Sequence, residues 1–536
     1  MHDCLQVQRI LHTLYDMTQE TRCVTTPIYY VNDRPHIGHV YTTTLCDVYA
    51  RAMRNVGHDV FFLTGTDEHG VKVEESAEKR GITPQALADE NSAVFQSIMG
   101  MFSLTNDAFI RTTDPIHEKQ VQNLVSRLLA SGDVYLGNFE GWYDQGQEEY
   151  HTENSARELD YKSPISGKDL VRATEKNYYF RLSAYQTKLE KLFEDHPDFV
   201  RPEGRRNEVL GRLREGLQDV PISRTNFSWG IPMPDDEAHV IYVWIDALFN
   251  YITALGLGEV DGEAQKERGH YWPANYHVVG KEILWFHAVI WPAILMALEL
   301  PLPKCVYAHS FWISEGRKMS KSLGNFIDLE TIEKYIDKYC MDAWRYYLVT
   351  QGPLGATDAD FASEQFHDIY NAHLVNTVGN CASRVTAMIE KYFDGVVPTE
   401  IKDGVRIELA DTNWPSICNE GVQVSLAAME SFSLQVAVES AMAMIRQIDL
   451  FINTTVPFKL AKDDTKQAEL GAILYQCIEA LRIASMLLHP VIPAKMDELH
   501  KAIGIEMPEE SIETALCWGG TQAGTRVTKV ALFPRV

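Results

Sequence analysis

The stretch that decides the fold runs from Cys23 to Asn55 and reads CVTTPIYYVNDRPHIGHVYTTTLCDVYARAMRN. Its first part, up to Val31, is apolar and rich in β-formers, and Asn32 to Pro35 has the composition of a turn. From Ile37 to Asn55, apolar residues recur at helical intervals. The stretch therefore predicts a strand, a turn and a helix.

The same alternation continues downstream. Val60 to Leu63 is a short apolar strand, and a polar helix is predicted from roughly Asp67 to Lys79. Strand signals return at His239 to Ile245 and at Tyr276 to Val279, each followed by helical spacing. We expect an α/β fold with a Rossmann-like parallel sheet, whose ligands bind beyond the carboxyl ends of the strands.

Two further regions differ in composition. Residues between about 137 and 229 are polar and rich in Tyr, Gly and Glu, which indicates an insertion that splits the α/β domain. From about Asp368 onward, long segments with helical spacing predict an α-helical terminal domain. The predicted division is an N-terminal extension at 1–22, a first α/β half at 23–137, the insertion at 138–229, a second α/β half at 230–310, a loop region at 311–367 and the helical domain at 368–536.

The charge balance excludes several classes of function. The 536 residues carry 49 Lys and Arg against 74 Asp and Glu, a net charge of −25. This acidity argues against indiscriminate binding to nucleic acid or to anionic membrane. A specific RNA partner stays open, because phosphate contacts need only a local basic face.

The cysteines and apolar runs bear on the compartment. Nine cysteines without regular spacing indicate a reducing environment rather than a disulfide framework. The apolar run from Ile283 to Leu298 is interrupted by His287 and Pro292, and it falls short of the roughly 20 residues of a membrane span. We expect a cytoplasmic protein without a membrane segment.

The first segment that carries chemistry is His36-Ile37-Gly38-His39, at the turn into the first helix. A helix N-terminus offers free N–H groups to a phosphate, and glycine allows a ligand close to the backbone. Two histidines can donate to a phosphoryl group that gains charge in a transition state. A metal pair is the alternative, but no third ligand with metal-site spacing lies near it.

The second segment is Lys318 to Asn325, KMSKSLGN. Two lysines among small hydroxyl residues and a glycine are typical of a mobile loop that binds phosphate. Alone, the same composition also fits an ordinary surface loop.

In this order and context, the two segments resemble the signatures of class I aminoacyl-tRNA synthetases. Finer features resemble methionyl-tRNA synthetases in particular. These are TPIYYVN at 26–32, LTGTDEHG at 63–70, WGIP at 229–232, YVWIDA at 242–247, VGKEI at 279–283 and Phe286-His287. The resemblance covers nearly the whole chain, from Thr25 to about Pro493.

The resemblance implies a methionine–tRNA ligase. Such an enzyme activates L-methionine with ATP and Mg²⁺ to methionyl-adenylate and pyrophosphate, then transfers methionine to the 3'-terminal adenosine of tRNA(Met). The implied catalytic residues are His36, His39, Lys318 and Lys321. The implied methionine site comprises Ile28, Tyr30, Asp67, Trp244, Ala247, Leu248, Tyr251, Phe286 and His287. The implied ATP site comprises His36, Gly38, His39, Gly280, Glu282, Lys318, Ser320 and Lys321.

One departure from the family concerns zinc. Many relatives carry a zinc knuckle of paired cysteines in the insertion. Here the corresponding segments read DQGQ at 144–147 and SPIS at 163–166, and no cysteine occurs between Cys46 and Cys305. Without thiolates we expect no structural zinc.

The helical domain resembles an anticodon-binding domain, in which Asn380 and Arg384 would contact bases and Phe458 would stack on one. Asn380 and Arg384 share a helix face, while Phe458 fits a structural role equally well. Five arginines between Arg201 and Arg214 fit either a solvated helix paired with glutamates or a contact with the tRNA acceptor end.

Three other functions compete with this one. Leucyl, isoleucyl and valyl relatives carry a large editing domain for which this chain has no room. Cysteinyl enzymes read their substrate with a zinc-bound thiolate, and the missing cysteines argue against that here. A catalytically inactive tRNA-binding paralogue is the remaining alternative. We expect such a paralogue to have lost a phosphate-handling segment, whereas both are present here. Since no appended domain follows Phe533, we expect a monomer.

Overall fold

The computed structural model describes residues 20–32, 34–144, 149–151, 153–259, 262–314, 316–319, 325–398 and 412–536. Its strands are β1 Thr21–Thr25, β2 Tyr29–Tyr30, β3 Asp59–Asp67, β4 Ala108–Arg111, β5 Val134–Asp144, β6 Glu149–His151, β7 Val171–Phe180, β8 Val200–Arg201, β9 Val220–Pro221, β10 Ser223–Arg224, β11 Pro232–Met233, β12 Asp236–Ile241, β13 Tyr276–Gly280, β14 Val306–His309, β15 Trp312–Ser314, β16 Arg317–Lys318 and β17 Ala359–Phe361.

The helices divide into those around the sheets and those of the terminal bundle. The first group is Ile37–Asn55, Val71–Arg80, Pro84–Met101, Pro115–Ser131, Glu153–Glu158, Gln186–Asp195, Glu203–Leu213, Val243–Thr253, Glu263–Arg268, Trp291–Ala297, Leu329–Tyr339, Met341–Gln351 and Ser363–Ile369. The second group is Asn380–Tyr392, Trp414–Glu430, Leu434–Thr455, Pro457–Leu460, Gln467–Leu488 and Pro493–Ile503. Two π-helical segments, Phe286–Ile290 and Tyr370–Gly379, precede helices of each group.

A parallel sheet forms the centre of the fold, in the order β2-β3-β1-β13-β14-β8, with β4 also paired to β3. Every pairing in it is parallel. Eight of the nine residues of β3 are buried, as expected for a central strand covered by helices on both faces. The predicted α/β fold with a helical C-terminal region is confirmed.

Two local predictions were wrong at their boundaries. The helix predicted from Asp67 begins at Val71, because the preceding residues continue β3 and then turn at Gly70, whose φ is 101°. The strand predicted over His239 to Ile245 ends at Ile241, and a buried helix begins at Val243. A short run of apolar residues has the same pattern in a buried strand and in a buried helix, so periodicity could not separate them.

The inserted region contains a four-stranded antiparallel sheet, in the order β6-β5-β7-β9. Two strands within residues 138–229 belong to other sheets: β8 pairs with β14 at the edge of the central sheet, and β10 pairs with β12. The following helix, Glu203–Leu213, carries most of the clustered arginines.

Only part of this arginine cluster is solvated: Arg212 and Arg214 are exposed. Arg205 is buried and donates to the Ser310 hydroxyl at 2.6 Å and to the Ala356 carbonyl at 2.7 Å. Arg201 donates to the Ser431 carbonyl at 2.5 Å. Arg205 also donates to the Glu208 carboxylate at 2.6 Å, so the expected pairing with a glutamate is confirmed for this residue, although its guanidinium is buried. A contact of this helix with the tRNA acceptor end stays a prediction.

A buried ion pair links the helices Ile37–Asn55 and Met341–Gln351, and its arginine also binds the chain of the helical domain. The guanidinium of Arg345 contacts the carboxylate of Asp47 at 2.7 Å and also donates to the carbonyls of Pro490 and Val491. The segment Asp464–Leu488 is long and apolar enough to cross a membrane, but 94% of its most apolar window is buried inside the protein. It is the core helix of the bundle, packed against Leu434–Thr455 and Trp414–Glu430.

Candidate active site

A cavity of about 380 Å³ opens at the carboxyl edge of the central sheet. The last residues of four parallel strands line it: Tyr30 of β2, Asp67 of β3, Gly280 of β13 and His309 of β14. Strand ends converge at this edge in open α/β sheets, which is where such folds bind ligands.

The cavity brings together most of the residues singled out in the sequence. Those that line it are Ile28, Tyr30, His36, Gly38, His39, Asp67, Trp244, Ala247, Leu248, Tyr251, Gly280, Glu282 and His287. Phe286 stacks on Trp244, with ring centroids 4.2 Å apart and planes 12° from parallel, and so supports that wall.

The first part of the cavity is formed by the start of helix Ile37–Asn55. The side chain of His36 caps the helix, its Nδ1 accepting from the N–H of Gly38 at 3.0 Å. The Nδ1 of His39 accepts from the N–H of His36 at 3.1 Å. Because each Nδ1 accepts, the proton of each neutral ring lies on Nε2. The turn thus holds two imidazole donors with their rings 3.9 Å apart.

The protonation of His39 and the lack of a side chain at Gly38 both affect what this turn can bind. Burial, with a smaller contribution from His36, holds the pKa of His39 well below its usual range, so this ring is neutral near pH 7. A Cβ on Gly38 would lie 2.9 Å from Cε1 of His36. Glycine is therefore required for the capping geometry of His36, as well as for close approach of a ligand.

A second part of the cavity lining is apolar. Trp244, Ala247, Leu248 and Tyr251 lie at helical intervals on one face of Val243–Thr253. Asp67, only 7% exposed, lies at the end of β3 and also lines the cavity. The site therefore combines a nearly buried carboxylate with an aromatic and aliphatic wall.

His287 closes this wall as a neutral ring. Its Nδ1 donates to the carbonyl of Ile283 at 2.9 Å, so its Nε2 accepts the proton of the Tyr251 hydroxyl at 2.7 Å. Burial lowers the pKa of His287 to about 4. Because the Tyr251 hydroxyl donates its proton to His287, it has no proton to donate to a ligand. This part of the wall therefore suits an apolar or weakly polar group.

The third part of the cavity follows β13. A Cβ on Gly280 would lie 2.4 Å from a carboxylate oxygen of Glu282, so the glycine allows that carboxylate to lie against the strand end. Lys281, between them, donates to Asp358 at 2.6 Å and lies 4.6 Å from the ring centre of Phe311. The segment after β13 is thereby tied to the chain that follows β14.

Sequence reasoning missed His309, Phe311, Lys72 and Thr42, which also line the cavity. His309 ends β14, and its Nε2 lies 2.7 Å from the Thr42 hydroxyl. Its Nδ1 donates to the Ser310 carbonyl at 2.8 Å, and burial lowers its pKa to about 4. The apolar run before His309 was a usable signal, because a polar residue that ends a buried parallel strand belongs at the ligand edge.

The second signature lies only partly within the described residues. The backbone of Lys318 ends β16, and Met319 packs against the core, whereas Ser320 and Lys321 lie outside the described part of the chain. Just beyond, the carbonyl of Ile327 accepts from the N–H of Ile37 at 3.0 Å. The chain after the lysine segment is therefore fixed to the first turn of the helix that His36 caps.

In the helical domain, Asn380 is exposed at the start of Asn380–Tyr392. Arg384 contacts Asp449 at 2.8 Å and Asn453 at 2.9 Å, both on Leu434–Thr455. Phe458 is 48% exposed just past the end of that helix. The anticodon contacts stay a prediction. Phe458 follows Asn453, the partner of Arg384, by five residues in the chain.

Two findings concern metals and thiols. Within the described residues, no group of three or more His, Cys, Asp or Glu side chains is arranged to hold a metal ion. The eight cysteines in that part of the chain are all free thiols.

Comparison with known proteins assigns the family. The model of the family "tRNA synthetases class I (M)" matches residues 22–159 and 153–386. The methionine–tRNA ligase of Halalkalibacterium halodurans is 41% identical over 529 residues, which is 97% of this chain and 79% of that protein. The methionine–tRNA ligase of Caldanaerobacter subterraneus subsp. tengcongensis is 43% identical over 519 residues, again 97% and 79%.

A solved structure agrees along nearly the whole chain. The Mycobacterium tuberculosis methionyl-tRNA synthetase in complex with methionyl-adenylate superposes with a TM-score of 0.88 and 36% identity, covering 96% of this chain and 100% of that one. The fold is that of a class I tRNA synthetase. Within that class, the chain belongs to the methionine–tRNA ligases, as the resemblance in the sequence predicted.

Proposed function

We propose that the protein activates L-methionine with ATP to methionyl-adenylate and pyrophosphate, and then transfers methionine to the 3'-terminal adenosine of tRNA(Met). The observation that carries this proposal is the cavity itself. It joins the donor turn His36–His39 to the carboxylate of Asp67 and to the aromatic wall around Trp244. The similar M. tuberculosis enzyme was solved with methionyl-adenylate bound, and that molecule is the product of such a reaction.

Methionine binds at the apolar end. Asp67 pairs with the ammonium group, while the thioether packs among Ile28, Tyr30, Trp244, Ala247, Leu248, Tyr251 and His287, with Phe286 behind Trp244. Sulfur against aromatic rings contributes about 0.3–1.5 kcal/mol per contact. With the Tyr251 proton given to His287, a substrate with a strongly polar side chain would be left without a partner and be disfavoured.

The reaction takes place between this end and the helix turn. A carboxylate oxygen of methionine forms a bond to the α-phosphorus of ATP while the bond to the bridging oxygen of the β-phosphate breaks, and pyrophosphate leaves. The Nε2–H groups of His36 and His39 donate to oxygens on which charge develops. Gly38 keeps the backbone open, and Gly280 with Glu282 bind the adenosine.

The lysine segment completes the ATP site. Lys318, Ser320 and Lys321 stabilise the departing pyrophosphate, together with the Mg²⁺ that enters as part of the ATP complex. The tether from Ile37 to Ile327 supports this assignment, because it holds the chain beyond the segment beside the donor turn.

We further propose that the insertion works without structural zinc. The turn at 163–168 closes through its own hydrogen bonds instead. The N–H of Ser166 donates to the Ser163 hydroxyl at 3.1 Å, and the N–H of Ser163 donates to the Lys168 carbonyl at 2.8 Å. These hydrogen bonds hold the turn together in place of bonds to a metal ion.

For tRNA, Asn380 and Arg384 read anticodon bases and Phe458 stacks on one, in keeping with its exposure. The free cysteines fit a reducing cytoplasm, and we propose that the enzyme acts there as a monomer, away from membranes.

Charging of tRNA tests this function. Purified protein with ATP, Mg²⁺ and labelled methionine should charge a tRNA(Met) transcript and leave other tRNA transcripts uncharged. An inactive tRNA-binding paralogue would bind the transcript and charge nothing, which would overturn the proposal.

A further inference from the structure

A buried bridge of three side chains lies directly behind the amino-acid end of the cavity. The carboxylate of Asp246, only 1% exposed, contacts Nδ1 of His69 at 2.7 Å and Nε2 of His117 at 2.7 Å. The three residues come from three different parts of the fold: the turn after β3, the helix Pro115–Ser131 and the helix Val243–Thr253.

The hydrogen bonds of the bridge fix its protons. A carboxylate only accepts, so each imidazole donates one N–H to Asp246. The Nδ1 of His117 lies 2.7 Å from the hydroxyl of Thr253, so both ring nitrogens have a hydrogen-bond partner. Although burial alone would raise the pKa of Asp246, His69 and His117 hold it below its usual range, so the carboxylate is ionised.

The bridge joins the two walls that would grip the amino acid. His69 lies two residues beyond Asp67, the partner proposed for the ammonium group. Asp246 lies between Trp244 and Ala247, which line the apolar wall, while Asp246 itself is absent from the cavity lining. The bridge therefore lies outside the cavity, where it links the turn after Asp67 to the helix that carries the apolar wall.

A second set of bonds anchors the turn elsewhere. The carboxylate of Glu68 receives two hydrogen bonds from Arg111, each 2.8 Å long, and the indole N–H of Trp229 donates to the Glu68 carbonyl at 2.7 Å. These bonds hold the turn to β4 and to the segment before β11. None of these bonds reaches the helix Val243–Thr253, whereas the hydrogen bond from His69 to Asp246 does.

We propose that His69, Asp246 and His117 are positioning residues for the amino-acid substrate, setting the spacing between the ammonium site and the side-chain wall. The inference rests on the proposed function, because it assumes methionine at this end of the cavity. The ATP-binding groups lie on other elements, at His36–His39 and at Gly280 and Glu282. The bridge therefore controls binding of the amino acid and leaves binding of ATP unchanged.

Matched substitutions separate the hydrogen bonds from the space that the rings fill. His69→Asn and His117→Gln retain an N–H at the ring position that faces Asp246, whereas His69→Leu and His117→Leu remove it. Amino-acid-dependent exchange of pyrophosphate into ATP gives KM for methionine and for ATP separately. Loss of a hydrogen bond to a buried charge should raise KM for methionine roughly tenfold or more. KM for ATP should stay within about twofold of the parent value, and the Asn and Gln variants should recover most of the loss.

A purely structural role predicts a different result. In that case the leucine variants would lower the unfolding temperature and change both KM values together, or they would leave the KM for methionine unchanged. Either result overturns the inference. Should the leucine variants fail to fold, the isosteric Asp246→Asn variant gives the same comparison. No methionine-dependent exchange by the parent protein would instead be a failure of the proposed function. A raised ratio of kcat/KM for ethionine over methionine in the bridge variants would support the spacing role directly.

Discussion

The backbone N–H of Ile37 donates a hydrogen bond of 3.0 Å to the carbonyl of Ile327. Ile37 is the first residue of the helix capped by His36, and Ile327 closely follows the lysine segment. The ring of Phe326 also contacts His36 edge-on, with centroids 5.2 Å apart. The first signature is thus joined by a backbone hydrogen bond to the chain that follows the second signature.

Removing this tether should slow adenylate formation. Ile37→Pro deletes the N–H, and proline is favoured at the first position of a helix. The extended backbone of His36 (φ −143°, ψ 179°) accepts a following proline. Ile37→Ala is the control for the lost side chain. We expect kcat for pyrophosphate exchange to fall about five- to a hundredfold below the Ala variant, since an orphaned buried carbonyl costs about 1–3 kcal/mol. Equal rates for the two variants would contradict the role of the tether.

Gly38→Ala should impair catalysis in a folded protein. The added Cβ would lie 2.9 Å from Cε1 of His36 and 3.1 Å from its Nδ1, so the capping ring must shift. Displacement of one donor from a developing charge costs roughly a hundredfold in kcat. The control is Gly100→Ala, where no heavy atom lies within 4 Å of the new Cβ. A Gly38→Ala enzyme with parental kcat would show that His36 does not act from this position.

Asp67→Asn should weaken binding of methionine and leave ATP unaffected. The substitution keeps the shape of the side chain but removes the charge that pairs with the ammonium group. We expect KM for methionine to rise about 10- to 100-fold. Asp195→Asn, at an exposed helix end, is the control. An unchanged KM for methionine would place the ammonium group elsewhere.

Stability should fall steeply in mild acid. Burial lowers the pKa of His287 and of His309 to about 4 in the folded protein, below the value of about 6.5 in the unfolded chain. The unfolded chain therefore binds more protons below about pH 6.5. Stability is fully present above that pH and is lost progressively down to about pH 4. Each histidine contributes about 3 kcal/mol to the loss.

Urea unfolding at about pH 7.5 and about pH 5 measures this effect. His309→Asn keeps a donor for the Ser310 carbonyl but does not titrate, so its stability should depend less on pH than that of the parent. Equal pH dependence in both proteins would mean that His309 is not buried as a neutral ring.

The helix after the first strand shows best what could be predicted from the sequence. The bounds Ile37 and Asn55 were predicted and observed, because turn, cap and apolar spacing are all local signals. The segment Tyr242 to Ile245 was misjudged, since burial on all sides removes periodicity. His69 and Asp246 lie within the segments quoted at 63–70 and 242–247, but nothing in the sequence indicated that they contact each other and His117. Their contacts span 129 and 177 positions and exist only once the sheet has formed.

The most direct test of the account is exchange of pyrophosphate into ATP, measured with each of the twenty amino acids and without tRNA. The cavity formed by His36, His39, Asp67 and the Trp244 wall predicts exchange with methionine far above that with leucine, cysteine or any other. Strong exchange with a different amino acid would contradict the assignment of Asp67, Trp244 and His287. No exchange from folded protein supplied with Mg²⁺ would contradict the adenylation chemistry altogether.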